Sequence, residues 1–329
     1  MQINSFINQV PDAAARRAFW KMQEGVTGLS GLLVGQERYL VANQTTDAFY
    51  QSLIANGADA SRIHATFAAA ITAMTTGRGD SLVVMPGSHS LAAAQSISLN
   101  MSLIAGVQDW PLMNKRCRVG MSTTFTPMIT VSGYGNQFKN LYTMHGTAAG
   151  DYVGWKIDGA RNAFHGVHFG GPMIAAQGGH ASYVGLDVNG SECYFEKCVI
   201  GTDTIGRDET SPNVSLAAET LTYFKDCLFL ANLTDGDPLF FSVENTSGYT
   251  WAMFENCKFL AFNSNYVTAM TKAFDFTGGS SCAMVFDNQC VFQNVIALSA
   301  ADEDQYIWMP RNFASTTDTE GLIAAKLTI

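Results

Sequence analysis

The sequence predicts an all-β solenoid, a right-handed parallel β-helix with an N-terminal helical arm and a capping helix. Three observations predict it. A hexapeptide beginning with phenylalanine recurs at a nearly constant interval. The third residue of each hexapeptide is, with one exception, a type that turns a chain sharply. The composition is apolar and rich in glycine, and it carries little charge. The organisation expected is an arm over 1–60, partly helical and docking on a surface, then the capping helix and coils over 61–300, and a C-terminal cap or tail over 301–329.

The repeat comes first, because a missed period miscalls a whole fold. It reads Phe138-Lys139-Asn140-Leu141, Phe164-His165-Gly166-Val167, Phe195-Glu196-Lys197-Cys198, Phe224-Lys225-Asp226-Cys227, Phe254-Glu255-Asn256-Cys257 and Phe286-Asp287-Asn288-Gln289, with steps of 26, 31, 29, 30 and 32 residues. The phenylalanines point inward and stack on their equivalents. The next position is always polar, as an outward strand residue should be. The third holds Asn140, Gly166, Lys197, Asp226, Asn256 and Asn288. Five of these six tolerate the left-handed αL conformation, so the chain bends there and the following residue points inward again. Lys197 is the exception. Cys198, Cys227 and Cys257 then form a ladder of reduced thiols, their parallel Cβ vectors ill-suited to disulfides. A one-residue bulge returns Cys290 to that ladder. Ile157-Asp158-Gly159, Val188-Asn189-Gly190 and Phe276-Thr277-Gly278 mark a second recurring strand end and turn. Roughly seven to eight coils fit between residues 80 and 300.

The composition agrees. Hydrophobic residues make up 47% of the 329 and charged residues only 14%, against about 25% in ordinary soluble chains. The net charge of −9 and the lack of a basic stripe exclude nucleic acid as a partner. No run of about 20 apolar residues suggests a membrane span, and Met1-Gln2-Ile3-Asn4-Ser5-Phe6 lacks the basic and apolar regions of a secretion signal. Seven cysteines, an odd number, point to free buried thiols rather than a disulfide framework.

At the front, Arg62 to Thr76 has apolar residues at helical spacing, followed by Gly79-Asp80 and the strand Ser81-Leu82-Val83-Val84-Met85-Pro86-Gly87. An amphipathic helix there covers the open end of an apolar stack. This arrangement resembles the capping helix and first coil of pectin-lyase-like right-handed β-helices, of the kind found in bacteriophage virion proteins, and the resemblance extends over residues 60–300. Within the arm, helices are expected from Asp12 to Gln23 and from Thr46 to Asn56, with Thr45 or Thr46 as N-cap. Phe6, Phe19 and Trp20 need cover, and they dock either on the first coils or on another virion protein, capsid or tail.

That fold hosts lyases, hydrolases and non-catalytic spikes, so activity must come from the site. The pectinolytic signatures do not match. Thr202-Asp203-Thr204 lacks the leading Asn, Phe164-His165-Gly166 lacks the first Gly, and no catalytic residue carries over. Glu196 and Glu255 flank Lys225 in the outward column, which reads as a surface charge ladder worth under about 1 kcal/mol per pair rather than a glycosidase pair. His165 and His168 straddle the bend and diverge, so no metal site and no cofactor is expected. Asp302-Glu303-Asp304 reads as a solvated loop. The resemblance implies a non-enzymatic virion structural protein, a capsid decoration or similar component. It would be homotrimeric, made in the host cytoplasm, with no nucleic-acid or membrane partner. A tailspike that binds or depolymerises a bacterial surface polysaccharide is the alternative. A cellular carbohydrate-active enzyme would carry a secretion signal.

Overall fold

The computed structural model describes residues 35–42, 46–107, 117–121, 126–145, 152–217, 219–235, 237–244, 249–263, 268–277, 282–300, 306–309 and 323–324. Among them the strands build three long parallel sheets of 11, 9 and 7 strands. Each coil contributes to the sheets in turn. Cys193–Glu196 lies in the first sheet, Val199–Arg207 in the second and Pro212–Leu216 in the third; Leu221–Lys225 then re-enters the first beside Cys193–Glu196. The third sheet's 7 strands run from Gln95–Ile97 to Phe274–Thr277, one per coil. Alternation along each strand sends every second side chain into one continuous apolar interior.

The phenylalanine column stacks as the period requires. Phe138, Phe164, Phe195, Phe224, Phe254 and Phe286 lie in register on successive strands. Their ring centroids are 4.9, 4.7, 4.8, 5.2 and 4.6 Å apart and the planes nearly parallel. These spacings match the interstrand distance, about 4.8 Å, so backbone pairing and ring stacking reinforce each other. A second file, Phe229, Phe259 and Phe292, stacks at 4.6 and 4.4 Å in the second sheet. It meets the first file edge-on, as in the 5.6 Å contact of Phe254 with Phe259, the arrangement that aromatic quadrupoles favour.

The bend after each phenylalanine is left-handed. Asn140, Gly166, Lys197, Asp226 and Asn256 have φ of 54°, 61°, 53°, 53° and 51°. Lys197 therefore adopts αL although its side chain favours it little. In the last coil the turn takes another form, and Asn288 is absent from this left-handed set. Cys290 still reaches the interior: its Sγ lies 3.4 Å from the Phe254 carbonyl. Cys198, Cys227 and Cys257 make the same 3.4 Å contact with the carbonyls of Phe164, Phe195 and Phe224. All seven cysteines are free and buried.

A second corner, between the third and first sheets, is also left-handed, with Met101, Gly135, Arg161, Glu192 and Glu219 at φ of 56°, 69°, 59°, 60° and 64°. Successive coils approach so closely here that a Cβ on Gly159 would sit 1.9 Å from the Gly133 carbonyl oxygen, and one on Gly190 2.1 Å from that of Gly159. Just inside this corner the buried column of the first sheet changes chemistry along the stack: Asp80, Ser102, Asn136, Asn162, Cys193, Thr222, Ala252 and Met284. Asn136 Oδ1 accepts from the Ser102 amide at 3.0 Å, Asn162 Oδ1 from the Asn136 amide at 2.9 Å, and both carboxamides donate to backbone carbonyls.

The front end differs from expectation in three ways. Glu37–Leu40, within the stretch assigned to the arm, is a strand of the first sheet and pairs with Ser81–Val84. The helix expected from Thr46 is Ala48–Ala55, capped by Asp47, whose carboxylate accepts from the Phe49 amide at 2.7 Å; aspartate caps as well as threonine and stands next to the first turn. The capping helix expected over 62–76 shortens to Phe67–Ala73, because Ile63–His64 is drawn into the sheet beside Tyr39 and Leu40. Its Phe67, Ala70 and Ile71 cover the end of the core. Asp80 ties this end together: fully buried, it accepts from the Gln36 and Thr75 amides and pairs with Arg78 at 2.5 Å. The helix expected over Asp12 to Gln23, the docking residues Phe6, Phe19 and Trp20, and Asp302-Glu303-Asp304 lie outside the described residues.

Candidate functional site

Chemistry-bearing side chains concentrate on the outer face of the first sheet. Because side chains alternate, the residues on either side of each buried phenylalanine project outward. One outward row lies before the phenylalanines: Gln137, Ala163, Tyr194, Tyr223, Met253 and Val285, continued by Trp308. The other lies after them: Lys139, His165, Glu196, Lys225 and Glu255. Two parallel stripes result, one apolar and aromatic, the other charged.

The aromatic stripe is open. Met253 is 39% and Trp308 63% exposed, and Tyr194 and Tyr223 are half-buried at a centroid distance of 5.3 Å. His165 lies edge-on to Tyr194 at 5.7 Å.

In the charged stripe, each carboxylate is paired. Lys225 Nζ donates to Glu255 Oε1 at 2.7 Å, and the Tyr223 hydroxyl donates to Glu255 Oε2. The Lys225 ammonium, then the Tyr223 hydroxyl, hold the Glu255 carboxyl below its usual range, while the bond to Glu255, with burial, pushes the Tyr223 phenol up to about 12. A carboxyl held ionised cannot serve as a general acid, so Glu255 belongs to a charge ladder, as its alternation with Lys225 suggested. Glu196 is placed differently. Its Oε2 lies 3.1 Å from His165 Nδ1 and its Oε1 3.7 Å from Lys197 Nζ. With its hydrogen on Nδ1, His165 donates to Glu196 and leaves Nε2 free to take a proton, the relation by which a carboxylate orients a catalytic imidazole. Both side chains stay partly exposed, at 33% and 25%.

His168 parts from His165 as expected. It is buried, stacks on Tyr142 at 4.4 Å and places Nε2 3.1 Å from the Gly201 carbonyl, so the two imidazoles do not converge on one ion. The sequence reading did not find the stripe of Tyr194, Tyr223 and Met253. Its signal was the position before each phenylalanine, a column whose mixed chemistry conceals its shared direction.

Neither a family model nor a curated protein sequence matches this chain. Solved structures do. It is similar to a pectin methylesterase in complex with a hexasaccharide, with 12% identity and a TM-score of 0.55 over 88% of this chain and 93% of the other. It is also similar to the pectin methylesterase PemA from Erwinia chrysanthemi, with 11% identity and a TM-score of 0.52 over 86% and 92%. At such identity the likeness establishes the fold: a right-handed parallel β-helix of the pectin-lyase-like kind. It also corrects the functional expectation. A non-enzymatic virion component was expected, yet the similar solved structures are enzymes, pectin methylesterases.

Proposed function

We propose that this chain binds a polysaccharide along the outer face of its first sheet and acts on it there, with His165 as the proton acceptor oriented by Glu196. The observation that carries this reading is the pair of stripes running side by side over successive coils. Aromatic faces pack against the C–H faces of sugar rings, and the half-open Tyr194 and Tyr223 offer two such platforms one coil apart. The neighbouring stripe supplies hydrogen-bond donors and acceptors from Lys139, His165, Glu196, Lys225 and Glu255. A glycan lying along the helix axis meets one element of each stripe per coil. His165 sits beside the first tyrosine, where a bound sugar brings its reacting bond, and Lys139 on the adjacent strand supplies positive charge next to it. The fold likeness to saccharide-bound pectin methylesterases supports the choice of ligand class. A bacterial surface polysaccharide is the substrate class proposed.

The test is affinity electrophoresis through a panel of acidic and neutral bacterial polysaccharides, followed by assays for new reducing ends and unsaturated uronate. Retention and product release are expected with at least one member. His165→Ala should abolish release and keep retention. The double variant Tyr194→Ala with Tyr223→Ala should weaken retention about tenfold, the equivalent of about 1.4 kcal/mol. Absence of both retention and products across the panel overturns the proposal, as does a double variant that binds like the parent.

A further inference from the structure

Near the second sheet, away from the stripes, lies a buried cationic group. Arg207 ends the strand Val199–Arg207 and is 1% exposed. Its guanidinium lies over the Tyr183 ring, 4.6 Å from the centroid, and donates to Asn213 Oδ1 and to the carbonyl and hydroxyl of Ser211. Those acceptors are neutral. Asp208 and Glu209, next along the chain, are exposed, and among the described residues no ion pair includes Arg207. Tyr183 is not the counter-charge either: burial pushes its phenol up to about 12, so it stays protonated at neutral pH.

Two donors of this stacked pair lack acceptors. Arg207 Nε and the Tyr183 hydroxyl are both buried with no hydrogen-bond partner. Only glycine lets the backbone come this close to the hydroxyl, since a Cβ on Gly171 or Gly185 would lie within 2.8 or 3.0 Å of it. A buried, unbalanced guanidinium is strongly unfavourable, and the ring beneath it offsets only part of that cost. Water would accept a hydrogen bond but leave the charge; an anion does both. We propose that Arg207 and Tyr183 together bind a small monovalent anion, held by the Arg207 Nε–H and the Tyr183 O–H. The bound ion neutralises the guanidinium and fastens the segment carrying Tyr183 to the strand carrying Arg207. This site is independent of the polysaccharide face.

The test is the thermal midpoint of the full-length protein at constant ionic strength, with sodium gluconate replaced stepwise by sodium chloride or sodium acetate. Unfolding releases the ion, so even a tightly held anion raises the midpoint. A rise of about 3 °C or more, growing with the logarithm of the anion concentration, is expected. A response to chloride alone marks a halide site, and a response to acetate as well marks one that admits carboxylates. Tyr183→Phe keeps the ring and should raise the anion concentration needed for a given rise about tenfold. Arg207→Met should abolish the response; if it does not fold, Tyr183→Phe decides. A wild-type midpoint equal in all three salts overturns the proposal, and so does an unchanged response in the variants.

Discussion

Replacing Lys197 by asparagine should stabilise this protein, against the usual direction of a substitution. Lys197 holds φ at 53°, in the column where other coils place Asn140, Gly166, Asp226 and Asn256. For a residue with an ordinary side chain that conformation costs about 1–2 kcal/mol, whereas asparagine enters it readily. Little opposes the gain. The Lys197 side chain is 70% exposed, and among the described residues its only ion pair is the 3.7 Å contact with Glu196, a surface interaction worth about 0.5 kcal/mol or less. The backbone bond from the Lys197 amide to the Lys225 carbonyl, 2.9 Å, survives the change. The net gain is therefore about 0.5–1.5 kcal/mol. In urea, with a slope of about 3 kcal/mol per molar, the midpoint should rise by about 0.2–0.5 M. Lys197→Gly should gain less, because glycine also loosens the unfolded chain. Lys197→Val should lose stability, since a β-branched residue at positive φ is a true outlier. If Asn, Gly and Val variants share the wild-type midpoint, the left-handed bend is not a source of strain and this account of the corner fails.

Three further outcomes follow from the same structure. Phe195→Ala leaves a hole between Phe164 and Phe224 and should cost about 3–5 kcal/mol by equilibrium denaturation; a loss below 1 kcal/mol would mean the file is not close-packed. Burial alone would raise the Asp80 carboxyl, but the Arg78 guanidinium and the Thr75 and Gln36 amides together hold it below its ordinary value of 3.8. Its contribution is thus complete above that value and is lost as pH falls through the lowered one, so acid should loosen the N-terminal end, and Asp80→Asn should flatten that dependence in hydrogen exchange of residues 36–40. Finally, all seven thiols are buried, so a thiol reagent should label the native protein hardly at all within minutes and all seven after unfolding; rapid labelling of Cys198, Cys227 or Cys257 in the native state would contradict an interior ladder.

How much of this was legible beforehand depended on whether a constraint acted along the chain or across it. Phe138 through Phe286 and the bends behind them recur at a set interval, so the interior file and one corner could be read directly. Glu37–Leu40 could not. Its partner Ser81–Val84 begins 44 residues later, because a helix, the Ile63–His64 strand and the capping helix intervene, and the period is broken. The second corner was legible only in part: the turns after Ile157 and Val188 show in the sequence, but Met101, Arg161, Glu192 and Glu219 have no preference for the αL conformation they adopt. Arg207 precedes Asp208 and Glu209 and looks like part of a solvated charged turn, while the fold buries the cation and leaves both acids outside. The candidate site was half legible. Its charged stripe was visible as alternating Glu196, Lys225 and Glu255, but the pairing of His165 with Glu196 needed the coils to be laid side by side.

Stacks of like upon like raise a question of alignment, since a chain of equivalent rings is almost as content one rung higher or lower. The column from Asp80 to Met284 removes that freedom. A shift by one rung would exchange unlike neighbours along it, setting Asn162 against Thr222 and Asn136 against Cys193, whereas the phenylalanines would hardly register the change. The column thus works as a vernier: the rings supply cohesion, and the graded side chains beside them decide which notch the spring settles into.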